Sequence, residues 1–210
     1  MESFEKIVRN YYLLSDDSIA LLKPYIQIVT LSKNVCFIKQ GSIKNSIYFL
    51  AEGLLKTSII IENKEYTLSF YKETDCLLGS INFSGKSIPN SFSVITLKKS
   101  ILYVIDKNHI EKLINNKNVD IILFVIKLLD RERADVINGI IRYKCYSPTD
   151  IYKLTSLFCP EIFHNISVNE MATFLGITNS SLSRIRKKIT KGKQQFNKSK
   201  RRINSEINNK

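Results

Sequence analysis

Between Pro24 and Asp106 the chain runs in short β-rich segments separated by turn residues, and this pattern restricts the fold more than any other feature. Eight segments are predicted as strands: Ile26–Leu31, Val35–Ile38, Ser46–Ala51, Leu54–Ile61, Tyr66–Tyr71, Leu77–Leu78, Ser91–Thr96 and Ile101–Ile105. The breaks between them carry turn formers such as Gly41-Ser42 and Glu52-Gly53. Short strands at this spacing predict a β-sandwich or a jelly-roll barrel.

Helical patterns flank this β-rich region. Residues 2–23 are typical of one or two short helices, and Asp120–Ile141 of one long helix. Apolar residues recur along the long helix at alternating spacings of four and three, with Arg133 as a polar interruption: Ile122, Ile126, Leu129, Val136 and Ile140. This spacing predicts a coiled-coil seam that pairs with a second copy of the chain. An amphipathic helix packed on its own domain remains the alternative.

A second helical region follows the long helix. The turn at Ser147-Pro148 predicts the start of a helix that runs over Asp150–Phe158. Ser167 and Glu170 form a capping box, which opens another short helix. Gly176 then supplies a tight turn, and a helix over about Asn179–Ile189 follows. Two short helices joined by a glycine turn are typical of a helix-turn-helix.

Positive charge is concentrated at the C-terminal end. Residues 171–210 hold eleven Lys and Arg but one acid, Glu206, whereas residues 1–170 hold 21 bases and 18 acids. Such an imbalance predicts a polyanionic partner, and a helix of this kind fits the major groove of double-stranded DNA. The residues predicted to face DNA are Thr178, Asn179, Ser180, Ser181, Arg184, Lys187 and Lys188. Residues 191–210 are predicted to be a disordered basic tail that adds phosphate contacts or only solubilises the chain.

No catalytic or metal-binding pattern accompanies these elements. The four cysteines are scattered without CxxC spacing, and His109 lies far from His164, so we expect no metal site and no cofactor. The thiols are expected to be reduced and structural. A cupin-like metalloenzyme would need a His and carboxylate cluster that the β-rich region lacks. No nucleophile–base signature or phosphate-cradling loop is present, which predicts a non-enzymatic protein. The N-terminus has no apolar signal segment and no apolar run is long enough to span a membrane, which predicts a cytoplasmic protein without a membrane partner.

Two stretches resemble the Crp/Fnr superfamily of bacterial transcription regulators. Gly41-x6-Tyr48-Phe49-Leu50-x2-Gly53 is similar to the glycine-framed hairpins of the cyclic-nucleotide-binding β-roll, and residues 175–188 are similar to the family's recognition segment. The resemblance implies a homodimeric regulator acting at promoters on a near-palindromic operator, with RNA polymerase as a candidate partner. It also implies that Asn179, Ser180 and Arg184 contact bases and that Ser181 contacts phosphate.

The chain departs from that family where a cyclic nucleotide would bind. Ser80, after Gly79, replaces the glutamate that would take the ribose hydroxyl, and Asn90-Ser91-Phe92 replaces an Arg-Ser/Thr-Ala motif. Asn90 lacks the charge that pairs with a cyclic phosphate. We therefore expect no cyclic AMP binding, and an effector pocket at Gly79, Ser80, Asn90 and Ser91 that either serves another small molecule or has degenerated.

Together these features predict an α+β fold. The expected order is an N-terminal helical segment (1–23), a cupin-like antiparallel β-roll or jelly roll (24–108), a dimerisation helix (109–143), a helix-turn-helix domain (144–190) and the basic tail (191–210). A dimeric DNA-binding transcription regulator is the leading functional hypothesis. The alternative is a small-molecule-binding or interaction module whose basic tail is incidental.

Overall fold

The β-rich region folds into two antiparallel four-stranded sheets that face each other. The computed structural model describes residues 3–78 and 88–191. In these residues the strands are β1 (Gln27–Leu31), β2 (Cys36–Ile38), β3 (Ser46–Glu52), β4 (Leu54–Ile61), β5 (Lys64–Lys72), β6 (Cys76–Leu77), β7 (Ser93–Thr96) and β8 (Ser100–Asp106). The sheet orders are β1-β8-β3-β6 and β2-β7-β4-β5. The antiparallel β-roll of the predicted α+β fold is confirmed.

Strand β3 is buried on both of its faces, which explains its nearly continuous apolar sequence. Tyr48 and Leu50 point into the space between the two sheets. Ile47, Phe49 and Ala51 point the other way, into a core that helices build on the outside of the roll. Successive side chains of a strand alternate in direction, so a strand covered on both sides needs apolar residues at every position.

The corner between β3 and β4 requires glycine. Gly53 has a φ of +131°, a region that residues with a side chain rarely adopt. A Cβ atom at this position would lie 2.2 Å from the Ser100 hydroxyl oxygen and 2.8 Å from the Ser100 Cα atom. The β3–β4 corner and the start of β8 can therefore approach this closely only because residue 53 has no side chain.

The helices enclose the roll on one side and continue beyond it. They are α1 (Phe4–Arg9), α2 (Asp16–Leu22), α3 (Lys107–Asn115), α4 (Val119–Cys145), α5 (Pro148–Phe158), α6 (Ile162–Asn165), α7 (Val168–Phe174) and α8 (residues 179–191), with a 3-10 turn at Lys23–Tyr25. The sequence analysis predicted neither the 3-10 turn nor α6, which is a single turn held by the buried side chain of Ile162. It placed α3 inside the dimerisation segment 109–143, whereas α3 and α4 are separate helices.

The long helix α4 has two different environments along its length. Its N-terminal half packs on the roll through Ile121, Phe124, Val125 and Leu128. These residues belong with Phe49 to the core between the helices and the outside of the roll, called the outer core below. Its C-terminal half extends away from that core and has no buried residue. The prediction of one long helix is confirmed. The roll and the helices around it cover only one face of the first half of α4.

The expectation that the cysteines are reduced and structural is met only in part. All four cysteines are free, and Cys36, Cys76 and Cys159 are partly buried. Burial raises the pKa of the Cys76 thiol well above its ordinary value. Cys145 is exposed, so the expectation that every thiol is structural is wrong for this residue. In residues 3–78 and 88–191 no helix is long and apolar enough to cross a membrane.

Candidate nucleic-acid interface

Helices α7 and α8 form a pair whose ends are specified by local hydrogen bonds. The predicted capping box at α7 is present: the Glu170 amide donates to Ser167 Oγ at 3.2 Å, and the Ser167 amide donates to Glu170 Oε2 at 2.6 Å. Gly176 between the helices has a φ of +66°. The Ser181 amide donates to Thr178 Oγ1 at 3.3 Å, so Thr178 caps α8 as expected.

One face of α8 is buried and the other is exposed. Leu182 is fully buried in a core with Met171, Phe174 and Leu175 of the preceding segment. The exposed face carries six of the seven residues predicted to contact DNA: Thr178, Asn179, Ser180, Arg184, Lys187 and Lys188. The seventh, Ser181, is half-buried and its hydroxyl accepts a hydrogen bond from Thr178 at 3.1 Å. The structure therefore gathers the predicted residues around the N-terminal two-thirds of one helix.

The basic residues on that face have no acidic partner. Among the residues that the structure describes, Arg184, Lys187 and Lys188 form no ion pair. Their charge is thus available to an anion outside the chain. The basic tail predicted over residues 191–210 lies, beyond Lys191, outside the described residues.

The predicted seam of α4 is an apolar stripe that the described residues leave largely exposed. Ile126 is 46% exposed, and Leu129, Val136 and Ile140 are exposed to a similar degree. Ile122, at the start of the stripe, is half-buried. An apolar stripe of this length on one side of a helix is a candidate surface for a second helix.

The helix pair is held against the outer edge of the roll by a buried lysine. Lys56 of β4 has a side chain that is 5% exposed, and its Nζ atom donates to Glu65 Oε1 at 2.8 Å and to Glu170 Oε1 at 2.5 Å. Burial alone would lower the pKa of Lys56, but the hydrogen bonds to Glu170 and Glu65 outweigh it and raise that pKa. The same lysine outweighs burial at Glu170 and lowers its pKa. Both groups are therefore charged near neutral pH.

Neutral contacts accompany this ion pair. The Thr67 amide of β5 donates to Thr173 Oγ1 at 3.2 Å, and the Phe70 and Phe174 rings meet edge to face with centroids 4.8 Å apart. From α4, the Tyr143 hydroxyl donates to the Phe174 carbonyl oxygen at 2.6 Å. The sequence analysis missed all of these residues. One signal was available, since Lys56 is a charged residue in the otherwise uncharged strand Leu54–Ile61.

The predicted effector pocket is only partly described. Gly79 and Ser80 lie outside the described residues. Asn90 is buried, and its side-chain Nδ2 donates to the Ser42 carbonyl oxygen at 2.7 Å, while Ser91 is exposed. The Asn90 amide thus fastens the turn before β3. Apolar and aromatic side chains cluster between the two sheets, among them Phe37, Tyr48, Tyr71 and Phe92.

A cavity of about 900 Å³ opens between the roll and helices α4 and α5, and its wall includes Leu78 and Phe92, which flank the predicted pocket residues. Its wall includes the aromatic residues Tyr11 and Tyr71 and the acids Asp75, Glu132 and Asp135. Burial, followed by the charge of Asp135, raises the pKa of Glu132, and burial also raises that of Asp75. Across residues 3–78 and 88–191, no three His, Cys, Asp or Glu side chains are arranged to hold a metal ion.

Comparisons with known proteins agree with this architecture. Residues 28–117, somewhat under half of the chain, match the family model of the cyclic nucleotide-binding domain. No curated protein matches the chain. Three solved structures of regulators are similar over most of the chain, and all are less than 15% identical to it.

The first is the c-di-GMP-responsive global regulator CLP of Xanthomonas campestris (13% identity, TM-score 0.66, 85% of this chain and 93% of that one). The second is a candidate transcriptional regulator of the Crp/Fnr family from Eubacterium rectale (14%, 0.66, 86% and 88%). The third is FixK2 of Bradyrhizobium japonicum (11%, 0.63, 80% and 85%). At these identities the likeness shows a shared fold. Residues 28–117 are thus similar to the cyclic nucleotide-binding domain, and the chain shares its fold with these three solved structures.

Proposed function

We propose that this protein is a dimeric, sequence-specific DNA-binding transcription regulator of the Crp/Fnr type that acts without catalysis and does not respond to cyclic AMP. In this proposal α7 and α8 are a helix-turn-helix, and α8 enters the major groove. The roll and α4 serve as its sensor and its dimerisation element.

The exposed face of α8 is the observation that carries the proposal. Its N-terminal end presents Asn179 and Ser180, which can hydrogen-bond base edges, and Arg184 follows one turn later. Lys187 and Lys188 extend the same surface with charges that have no partner among the described residues. Basic side chains without an ion-pair partner among the described residues, beside small polar side chains, suit a DNA groove lined by phosphates.

The bare seam of α4 supports dimerisation. Ile126, Leu129, Val136 and Ile140 leave apolar surface in water that a second α4 would cover. Two recognition helices related by a two-fold axis then require a near-palindromic operator with half-sites about 10 base pairs apart.

The cavity between the roll and α4 is the proposed effector site. A ligand there would touch Tyr71 of β5 and Glu132 of α4 at once, so it could bias one element relative to the other. Asn90 argues against a cyclic nucleotide in the position that the family uses, because its side chain is uncharged and already donates to the Ser42 carbonyl oxygen.

Two substitutions on α8 test the proposal. Arg184→Ala should weaken binding to a selected operator by about 1–3 kcal/mol and relax base preference at one position of each half-site. Lys188→Ala should weaken all duplexes about equally and reduce the slope of log affinity against log salt by about one unit. Removing residues 191–210 should resemble the lysine change.

These outcomes separate the proposal from its alternative. A small-molecule-binding or interaction module with an incidental basic tail would lose all DNA binding when the tail is removed, and Arg184→Ala would leave base preference unchanged. Mobility-shift titrations at two salt concentrations measure both quantities for each variant.

A further inference from the structure

The buried lysine on β4 occupies a position that its strand would otherwise fill with an apolar residue. Lys56 lies between Leu55 and Thr57, both buried, and its own side chain is almost inaccessible. Burying an ammonium group is costly unless carboxylates compensate it, and such a pair seldom adds more stability than apolar side chains of the same volume would. The contact therefore calls for an explanation other than stability.

Its two carboxylate partners belong to different parts of the molecule. Glu65 lies on β5, the other strand of the same hairpin, whereas Glu170 belongs to α7. Glu170 also closes the capping box with its second carboxylate oxygen, so its side chain is held from both ends. The ammonium group thus joins the β4–β5 hairpin to the first turn of the helix that precedes α8.

The apolar contacts at this junction leave the orientation of the helix pair less restricted than the charges do. Phe70 and Phe174 touch edge to face, and rings can shift against each other at little cost. The ammonium group must keep two oxygens within hydrogen-bond distance, which restricts how α7 can slide or rotate on β5.

We propose that Lys56 is a positioning residue for the proposed DNA-binding helix. Its ion pair with Glu170 fixes how the helix pair is seated on the roll, and in a dimer it thereby fixes the separation of the two α8 helices. This inference rests on the proposed function, because the separation matters only if two copies of α8 read one operator. The specificity it confers is for half-site spacing and not for base sequence.

The test uses full-length protein and palindromic duplexes selected by the wild type from a random library. The spacer between half-sites is then shortened or lengthened by one or by two base pairs. Each base pair added or removed moves a half-site by about 3.4 Å along the duplex. Wild-type protein should prefer one spacer at least tenfold. Lys56→Met should reduce that preference to less than threefold and leave affinity for a single half-site within about twofold.

Removing the lysine leaves two carboxylates facing each other, so a neutral variant is also needed. Lys56→Met combined with Glu65→Gln and Glu170→Gln removes the repulsion and retains an oxygen at residue 170 for the capping box. This triple variant should melt close to the wild type and still accept several spacers. A purely structural role predicts the reverse, with spacing preference restored together with stability.

Lys98→Met is the matched control, because Lys98 also bridges the roll and the C-terminal helices. Its Nζ lies 3.6 Å from Glu73 and 3.9 Å from Glu161, and its side chain is 35% exposed. This substitution should leave spacing preference unchanged. The inference is overturned if Lys56→Met keeps the wild-type preference or if Lys98→Met abolishes it equally.

A measurement without DNA separates this inference from the proposed function. The Thr67 amide, which donates to Thr173 across the junction, should exchange its hydrogen at least several-fold faster in Lys56→Met than in the wild type. Unchanged exchange overturns the role of Lys56. If exchange is faster in Lys56→Met but the wild type shows no preference for any DNA sequence, the proposed function is overturned. The role of the junction in half-site spacing is then overturned with it.

Discussion

Placing charge on the exposed seam of α4 should convert the proposed dimer to a monomer. The substitutions are Ile126→Asp and Leu129→Asp, at two adjacent positions of the stripe. Neither side chain belongs to the outer core that holds α4 on the roll, so the fold of each copy should survive. The change therefore acts on association and leaves the monomer intact.

The structure sets the size of the effect. Burying a whole Ile or Leu side chain contributes about 1.5–3 kcal/mol. Ile126 is 46% exposed and Leu129 is 39% exposed in one copy. Covering this exposed surface contributes about 1 kcal/mol for each side chain in each of the two copies. Removing both contacts therefore costs about 4 kcal/mol per dimer, or about a thousandfold in the dissociation constant. Buried carboxylates add a desolvation penalty to this loss.

Sedimentation velocity over a range of protein concentrations measures the change directly. The matched control is Ile141→Asp, because Ile141 is on the same helix and is 45% exposed but lies off the seam. The control should remain dimeric. The reasoning is refuted if the double variant stays dimeric at the concentrations where the wild type does, or if the control dissociates to the same extent.

Three further outcomes are expected. Isothermal titration calorimetry with cyclic AMP and cyclic GMP should show no micromolar binding, because Asn90 carries no charge and its amide is engaged by Ser42. Gly53→Ala should destabilise the protein by about 2–4 kcal/mol in chemical denaturation, whereas Gly139→Ala, in a helix with open space around it, should not. Glu132→Gln should raise the melting temperature slightly at pH 7, since partial burial at the cavity wall and the charge of Asp135 raise the pKa of this exposed carboxyl group, and the folded state therefore loses stability as pH rises above the ordinary value of about 4.5. Calorimetric scans should show that gain shrinking towards pH 4.5, and a gain independent of pH would contradict the assignment.

Local patterns were enough to predict most of the fold. Alternating apolar residues and turn formers located all eight described strands, because both signals arise from near neighbours in the chain. The capping box of α7 and the glycine turn before α8 were found for the same reason. Helix α6 was missed because a single turn between Pro160 and Ser167 is too short to show any periodicity.

Contacts between distant segments could not be predicted. Lys56 and Glu170 are 114 residues apart, and nothing near either residue indicates that they meet. The cavity presents the same difficulty, since β5, α4 and α5 each supply part of its wall. In the α4 stripe, by contrast, the heptad spacing alone identified four apolar side chains that the fold leaves exposed, namely Ile126, Leu129, Val136 and Ile140, together with Ile122, which is half-buried.

Because α4 is long, a small tilt of the helix produces a large displacement of its C-terminal end. Its 27 residues span roughly 40 Å at 1.5 Å per residue, and its N-terminal half is clamped by the roll. The half beyond the clamp is roughly 20 Å long, so a tilt of about 10° displaces its far end by about 3.5 Å, close to the rise of one base pair. A shift of the roll too small to change its own core would therefore displace the end of α4, where Tyr143 holds the last carbonyl of α7, by a distance that equals one base-pair step in the proposed DNA complex.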